Sequence, residues 1–133
     1  MSFTSPSDPI IIQEGTLAFD YDASGTIYKG QGVYAVDAFK VKAPGTGIGT
    51  EQGGCVGVAA YSQTDGKPIA VYGPGNIVRV IISGASHCTA GDRLHLVDEG
   101  KWSKISGAIP SGVYAIALET QTSADGTAKV LLV

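Results

Sequence analysis

One phrase, a small-residue strand followed by a polar loop and an apolar strand, is written twice in this chain. That repetition constrains the fold more than any other feature. The closing stretch, Ser111–Val133 (SGVYAIALETQTSADGTAKVLLV), reads as a strand from Val113 to Leu118, a loop at Asp125-Gly126, and a strand from Ala128 to Val133. The loop is a hairpin signal, because glycine takes positive φ without steric cost and aspartate tolerates it. Gly54–Tyr72 (GCVGVAAYSQTDGKPIAVY) has the same order of parts. Other landmarks keep step: Gly15 with Gly75, Gly30 with Gly91, Val33 with Leu94, Ala35 with Leu96, Gly57 with Ala115 and Gly66 with Gly126, at offsets of 58 to 61 residues. An internal duplication of about sixty residues is therefore expected, with pseudo-repeats near 15–72 and 75–133. Two copies predict one compact β-domain over 10–133 with pseudo-two-fold symmetry, preceded by an arm over 1–9.

Composition narrows the class. Nineteen glycines and 16% charged residues in a chain of 133 suit one tightly turned β-domain and exclude a disordered chain. Nine basic against twelve acidic side chains, net −3, offer no patch for phosphate backbones, so no nucleic-acid partner is expected. The apolar runs fall far short of the ~20 residues of a spanning helix, so no membrane partner is expected either. Met1–Asp8 lacks a basic n-region and an apolar h-region, which predicts no Sec-type export. In such a chain Cys55 and Cys88 are expected as buried free thiols.

The rest of the chain reads as short strands between turns. Met1–Pro9 is rich in serine and proline and predicts an extended arm. Ile10–Gln13 and Gly15–Asp20 follow as strands, with a turn over Tyr21–Gly25. Thr26–Lys29, Gly32–Val36 and Phe39–Val41 come next. Gly75–Ser83 is the most β-branched stretch and predicts a central strand. Arg93–Val97, a tip at Asp98–Gly100 and a return over Lys101–Ile105 complete the second half. Convincing 3.6-residue periodicity is missing throughout, so the expected class is all-β, a small barrel or sandwich.

Catalysis needs convergent polar groups, and the candidates do not converge. The glycines of Lys42–Gly54 (KAPGTGIGTEQGG) suggest a phosphate loop, but the lysine and the strand-to-helix context that such a loop needs are missing. A surface loop touching a neighbouring subunit or shell is expected instead, through Pro44, Thr46, Ile48 and Glu51. His87 and Cys88 are adjacent, so on a strand they point to opposite faces, and neither Cys55 nor His95 stands at ligand spacing from them. Ser86-His87 with Asp92 lacks a nucleophile elbow. Asp20 and Asp22 border a predicted turn and read as solvated acids. No catalytic residue, cofactor or metal ligand is expected.

In order along the chain, EGTLAF, GQGVYAVDAFKV, GGCVGVAAYSQTDGKPIAVYGPG, TAGDRLHL with KWSKI, and GVYAIALETQTSADGTAKVLLV form a specific series, though each motif alone is weak. Over Ile10–Val133 the chain resembles the capsid cement, or head-decoration, proteins of tailed bacteriophages, a small all-β family long grouped as a domain of unknown function. It differs in Gly15-Thr16 where the family has Gly-Asp, in the bulkier Val113-Tyr114-Ala115, and in a longer glycine-rich loop. The resemblance implies a non-catalytic homotrimer on the outer capsid surface of the virion, made in the host cytoplasm and clamping major capsid protein subunits after shell expansion. Within that expectation the Ser/Pro-rich arm Met1–Ile12 is the segment expected to contact the capsid, through Ser2, Phe3, Thr4, Ser5, Pro6, Pro9, Ile10 and Ile11. A receptor- or glycan-binding surface module is the alternative expectation.

Overall fold

The computed structural model describes residues 18–47, 53–83, 87–107, 111–123 and 125–133. Among them are β1 (Ala18–Ala23), β2 (Gly32–Asp37), β3 (Lys40–Lys42), β4 (Cys55–Ala59) and β5 (Pro68–Tyr72). The second half holds β6 (Ile77–Ile81), β7 (Arg93–Leu96), β8 (Trp102–Lys104), β9 (Ala115–Ala117) and β10 (Thr127–Leu132), with a 3₁₀ turn at Asp98–Gly100. The fold is all-β: a closed barrel in the order β1-β3-β2-β4-β5, and a five-stranded sheet in the order β6-β10-β9-β7-β8. Side-chain alternation explains each strand. In β10, Ala128, Val130 and Leu132 are buried while Thr127, Lys129 and Leu131 are half-buried, the period-two pattern of a sheet with one core face.

Several local expectations are revised. Tyr21–Ala23 is strand and not turn, because β1 pairs with β5 as far as Asp22↔Pro68 and runs parallel to β3 at Ala23↔Val41. Thr26–Lys29 reduces to one bridge, Ile27↔Gln63. Phe39 belongs to the turn before β3, at φ +56. In the Asp125-Gly126 loop the residue with positive φ is Asp125, at +52. The β-branched β6 is not central: it pairs with β10 on one side and makes a single parallel bridge, Ile82↔Trp102, on the other. Its composition reflects a buried inner face, Val78 and Val80, and two isoleucines flanking Arg79 on the other, not a central place in the sheet.

The two halves repeat each other pairing by pairing. β1·β5, β2·β3, β2·β4 and β4·β5 are antiparallel, and so are β6·β10, β7·β8, β7·β9 and β9·β10. The parallel β1·β3 pair has its counterpart in the bridge Ile82↔Trp102. Turn bonds repeat too. The mutual Ile27–Gln63 bonds (2.9 and 2.8 Å) match Cys88–Gln121 (3.0 and 2.9 Å), and Gly30 N–H to Ala59 O matches Gly91 N–H to Ala117 O. Gln31 Oε1 accepts from Tyr28 N at 2.8 Å, as Asp92 Oδ2 accepts from Thr89 N at 2.9 Å.

The halves do not meet across a two-fold axis. The second-half core takes in Cys55 and Val58 of β4 and packs against Tyr34 and Tyr72, whereas among the described residues the first-half core holds first-half side chains alone. Gly32 lies so close to Leu96 and Trp102 that a Cβ there would overlap Leu96 Cδ1. Gln31 Nε2 donates to Glu99 O at 2.9 Å, and Gly100 packs on the Gln31 side chain. A two-fold would bring Phe39 against Asp92 as well. Phe39 is 76% exposed, and the Asp92 carboxylate takes Thr89 N–H and, at 3.8 Å, Lys104 Nζ instead. The contact is head to tail, through two different surfaces.

Cys55 and Cys88 are free and buried in the second-half core. Burial pushes the Cys55 thiol up to about 12, against a smaller opposing pull from the Gly57 backbone. Iodoacetamide at mildly alkaline pH is therefore expected to leave Cys55 unmodified in the native protein and to label it fully after denaturation. Mass spectrometry of the two samples checks this, and a native Cys55 adduct would contradict it.

Candidate functional site

The polar groups singled out in the sequence are not brought together. Cys55 and Cys88 face the core, His87 is exposed, and His95 is half-buried on β7. Burial lowers the pKa of His95. Among the described residues no group of three or more His, Cys, Asp or Glu side chains is placed to hold a metal ion. Asp20 and Asp22 lie on β1 itself and are exposed, opposite Ala70 and Pro68.

One polar hollow of about 290 Å³ opens at the end of the first barrel, lined by Asp22, Ser24, Lys40, Asp65 and Gly66. Asp65 Oδ1 accepts from Gly25 N at 2.7 Å, so its carboxylate already holds a turn. In the second half Lys101, the counterpart of Lys40, is buried and forms an ion pair with Asp125 at 3.2 Å. The hollow brings two carboxylates and one ammonium together, and Asp65 is already engaged in holding the turn.

The chain's outer surfaces are more distinctive. Phe39, 76% exposed, stands at the β2–β3 tip with Val36, also exposed. Tyr28 and Tyr61 are exposed at one end of the first barrel, where Lys29 N donates to Ser62 Oγ at 2.9 Å. Leu118 and Val133 are exposed on the second half. Sequence reasoning passed over the tip because Phe39-Lys40-Val41 looks like strand. Its one signal is the counterpart position, Gly100, which also has positive φ.

Of the expected contact residues, the arm positions Ser2, Phe3, Thr4, Ser5, Pro6, Pro9, Ile10 and Ile11 lie outside the described residues, as do Ile48 and Glu51. In the loop stem Pro44 is buried and Thr46 exposed. Gly45 O accepts from Glu99 N at 3.1 Å, so this stem already holds the second half of its own chain.

No family model matches the chain, and no curated protein matches it. Among solved structures it is similar to the N base of the head fiber gp8.5 of bacteriophage phi29, with a TM-score of 0.56 and 16% identity over 88% of this chain and 93% of that one. The likeness is one of fold.

Proposed function

We propose that this protein is a structural component of a tailed-phage head, a decoration protein bound to the outer capsid surface. The observation that carries the reading is the shared fold with a phage head-fiber base over 88% of the chain. The ordered motif series that resembles head-decoration proteins supports it independently. In this reading the protein is non-catalytic, needs no cofactor, and associates as a homotrimer on the major capsid protein. The arm Met1–Ile12 supplies much of the contact with the shell, its ordering cost being met on binding. Three arms on one assembly then act together, so modest contacts give a firm attachment.

Co-sedimentation with expanded capsids of the encoding phage tests this. The full chain is expected in the capsid pellet, and deletion of residues 1–9 is expected to weaken binding about tenfold or more, since each arm counts once per subunit. A full-length chain that stays in the supernatant overturns the decoration reading. A truncated chain that binds as well as the full one overturns the arm assignment alone. The exposed Tyr28 and Tyr61 favour a second reading, a glycan- or receptor-binding surface module, because aromatic faces stack on sugar rings. A glycan array separates the two.

A further inference from the structure

β1 closes the first barrel with only part of its length. Asp22 N donates to Phe39 O at 2.7 Å and Ser24 N to Val41 O at 2.8 Å, while Ala23 N donates to Lys67 O at 2.9 Å. Even-numbered residues of β1 therefore turn their peptide groups toward β3, and odd-numbered ones toward β5. β5 follows β1 along the whole stretch from Ala18↔Tyr72 to Asp22↔Pro68. β3 meets it only at Asp22↔Lys40 and Ala23↔Val41. The N–H and C=O groups of Ala18 and Asp20 face past the β2–β3 tip, and nothing among the described residues pairs with them there. An open edge of this kind is a template for one more strand.

The sequence ahead of Ala18 contains a segment that fits this edge in length, register and stop signal. Ile10–Gln13 (IIIQ) is β-branched and reads as a strand. Residues 14–17 separate it from β1, a loop of the length that hairpins use, with Gly15 inside it. That loop sets Gln13 opposite Ala18 and Ile11 opposite Asp20, and these become the hydrogen-bonded pairs. The next such pair would be Pro9 with Asp22. Asp22 N–H is already given to Phe39 and proline has no N–H to offer, so the strand ends where the edge ends. The faces agree as well. Asp20 and Asp22 are exposed, while Ala23 lies in the first-half core and Tyr21 packs on it. This register therefore sets Ile10 and Ile12 on the core side and Ile11 and Gln13 on the solvent side. A slip of one residue in either direction would turn Ile10 and Ile12 outward.

We propose that Ile10–Gln13 pairs antiparallel on the outer edge of β1 in its own chain, in the register Ile11↔Asp20. It becomes a sixth strand of the five-stranded first barrel, beside the Phe39 tip. The chain's own segment is the occupant because a short tether holds it at the edge at a high effective concentration. A second copy does not match that in dilute solution. The second half has no equivalent, since only residues 73–76 separate β5 from β6. The added strand fixes the root of the arm and delivers residues 1–9 to the Phe39 tip, where they are available to a partner. This inference does not depend on the decoration reading.

Disulfide trapping in the full chain at low protein concentration tests this, read by non-reducing electrophoresis and peptide mass mapping. Ile11→Cys with Asp20→Cys sets two thiols on one face of the proposed pair, within the Cα separation that a disulfide spans. Ile12→Cys with Asp20→Cys sets them on opposite faces. The two native cysteines are buried and stay out of the reaction. The first pair is expected to form an intrachain disulfide in most molecules, and the second in about a tenth as many or fewer. Amide exchange followed by NMR gives a readout without new thiols. Asp20 N–H is expected to exchange at least about tenfold more slowly in the full chain than after deletion of residues 1–13. Disulfide-linked dimers in place of the intrachain bond would identify a second copy as the occupant and overturn the proposal. So would equal trapping of the two pairs, trapping of neither, or an Asp20 amide that exchanges as fast in the full chain as in the truncated one.

Discussion

Gly57→Ala is expected to destabilise the protein by about 3 kcal/mol or more, a large share of the ~5–15 kcal/mol that holds a domain of this size together. Gly57 sits in β4 at φ +148, and a Cβ there would overlap the backbone oxygen of Tyr72 and come within 2.8 Å of its carbonyl carbon. The obstacle is main chain on the next strand, so no rotamer change relieves it. Moving Tyr72 would break the Val58↔Tyr72 pairing that helps close the barrel. The cause of the close approach is visible in the register. Val33 pairs with Gly57 but Tyr34 pairs with Cys55, so Val56 is an extra residue that bends β4. At the equivalent second-half position Ala115 is accommodated and fully buried. Urea unfolding checks the prediction. The midpoint should fall with little change in slope, and a midpoint within error of the wild type would show that β4 and β5 are not this close.

Trp102→Ala is expected to cost about 3–5 kcal/mol, because it empties the largest fully buried side chain in the second-half core. Trp102 joins the two ends of the second sheet through its bridge to Ile82 and packs on Gly32 of the first half, so its loss loosens both that sheet and the contact between halves. Trp102→Phe is expected to cost much less, about 1–2 kcal/mol. The indole Nε1–H is buried without a hydrogen-bond partner, and replacing it with carbon removes an unsatisfied donor while keeping most of the ring volume. Circular dichroism melts of the two variants give the comparison. If phenylalanine costs as much as alanine, the donor is satisfied and the accounting for this site is wrong. Because Trp102 is the single tryptophan, its fluorescence in the wild type reports the same core directly.

Much of this was legible in the residues, for local reasons. The closing stretch Ala128–Val133 was legible as a strand, and it forms β10 over Thr127–Leu132. The landmarks at offsets of 58 to 61 anticipated pairs that the structure repeats, among them the counterparts Gly30 with Gly91 and Gly57 with Ala115. Local signals misled where two conformations use the same residues. Phe39 has strand propensity but turns the chain, and β6 has the composition of a central strand but lies where the sheet is joined by one bridge.

By itself, then, the sequence determined the all-β class and the doubling of the motif. Only the tertiary structure decided how the two copies meet. Val58 and Ile116 occupy equivalent places on outer sheet faces, yet one is fully buried and the other half-buried. Gly32 and Arg93 are equivalent too, and only the glycine lets Leu96 and Trp102 approach. Alternation along a strand reports how its own two faces differ. Whether an outer face is then covered depends on which distant surface fits against it, and that is settled by shape and packing between segments far apart in the chain.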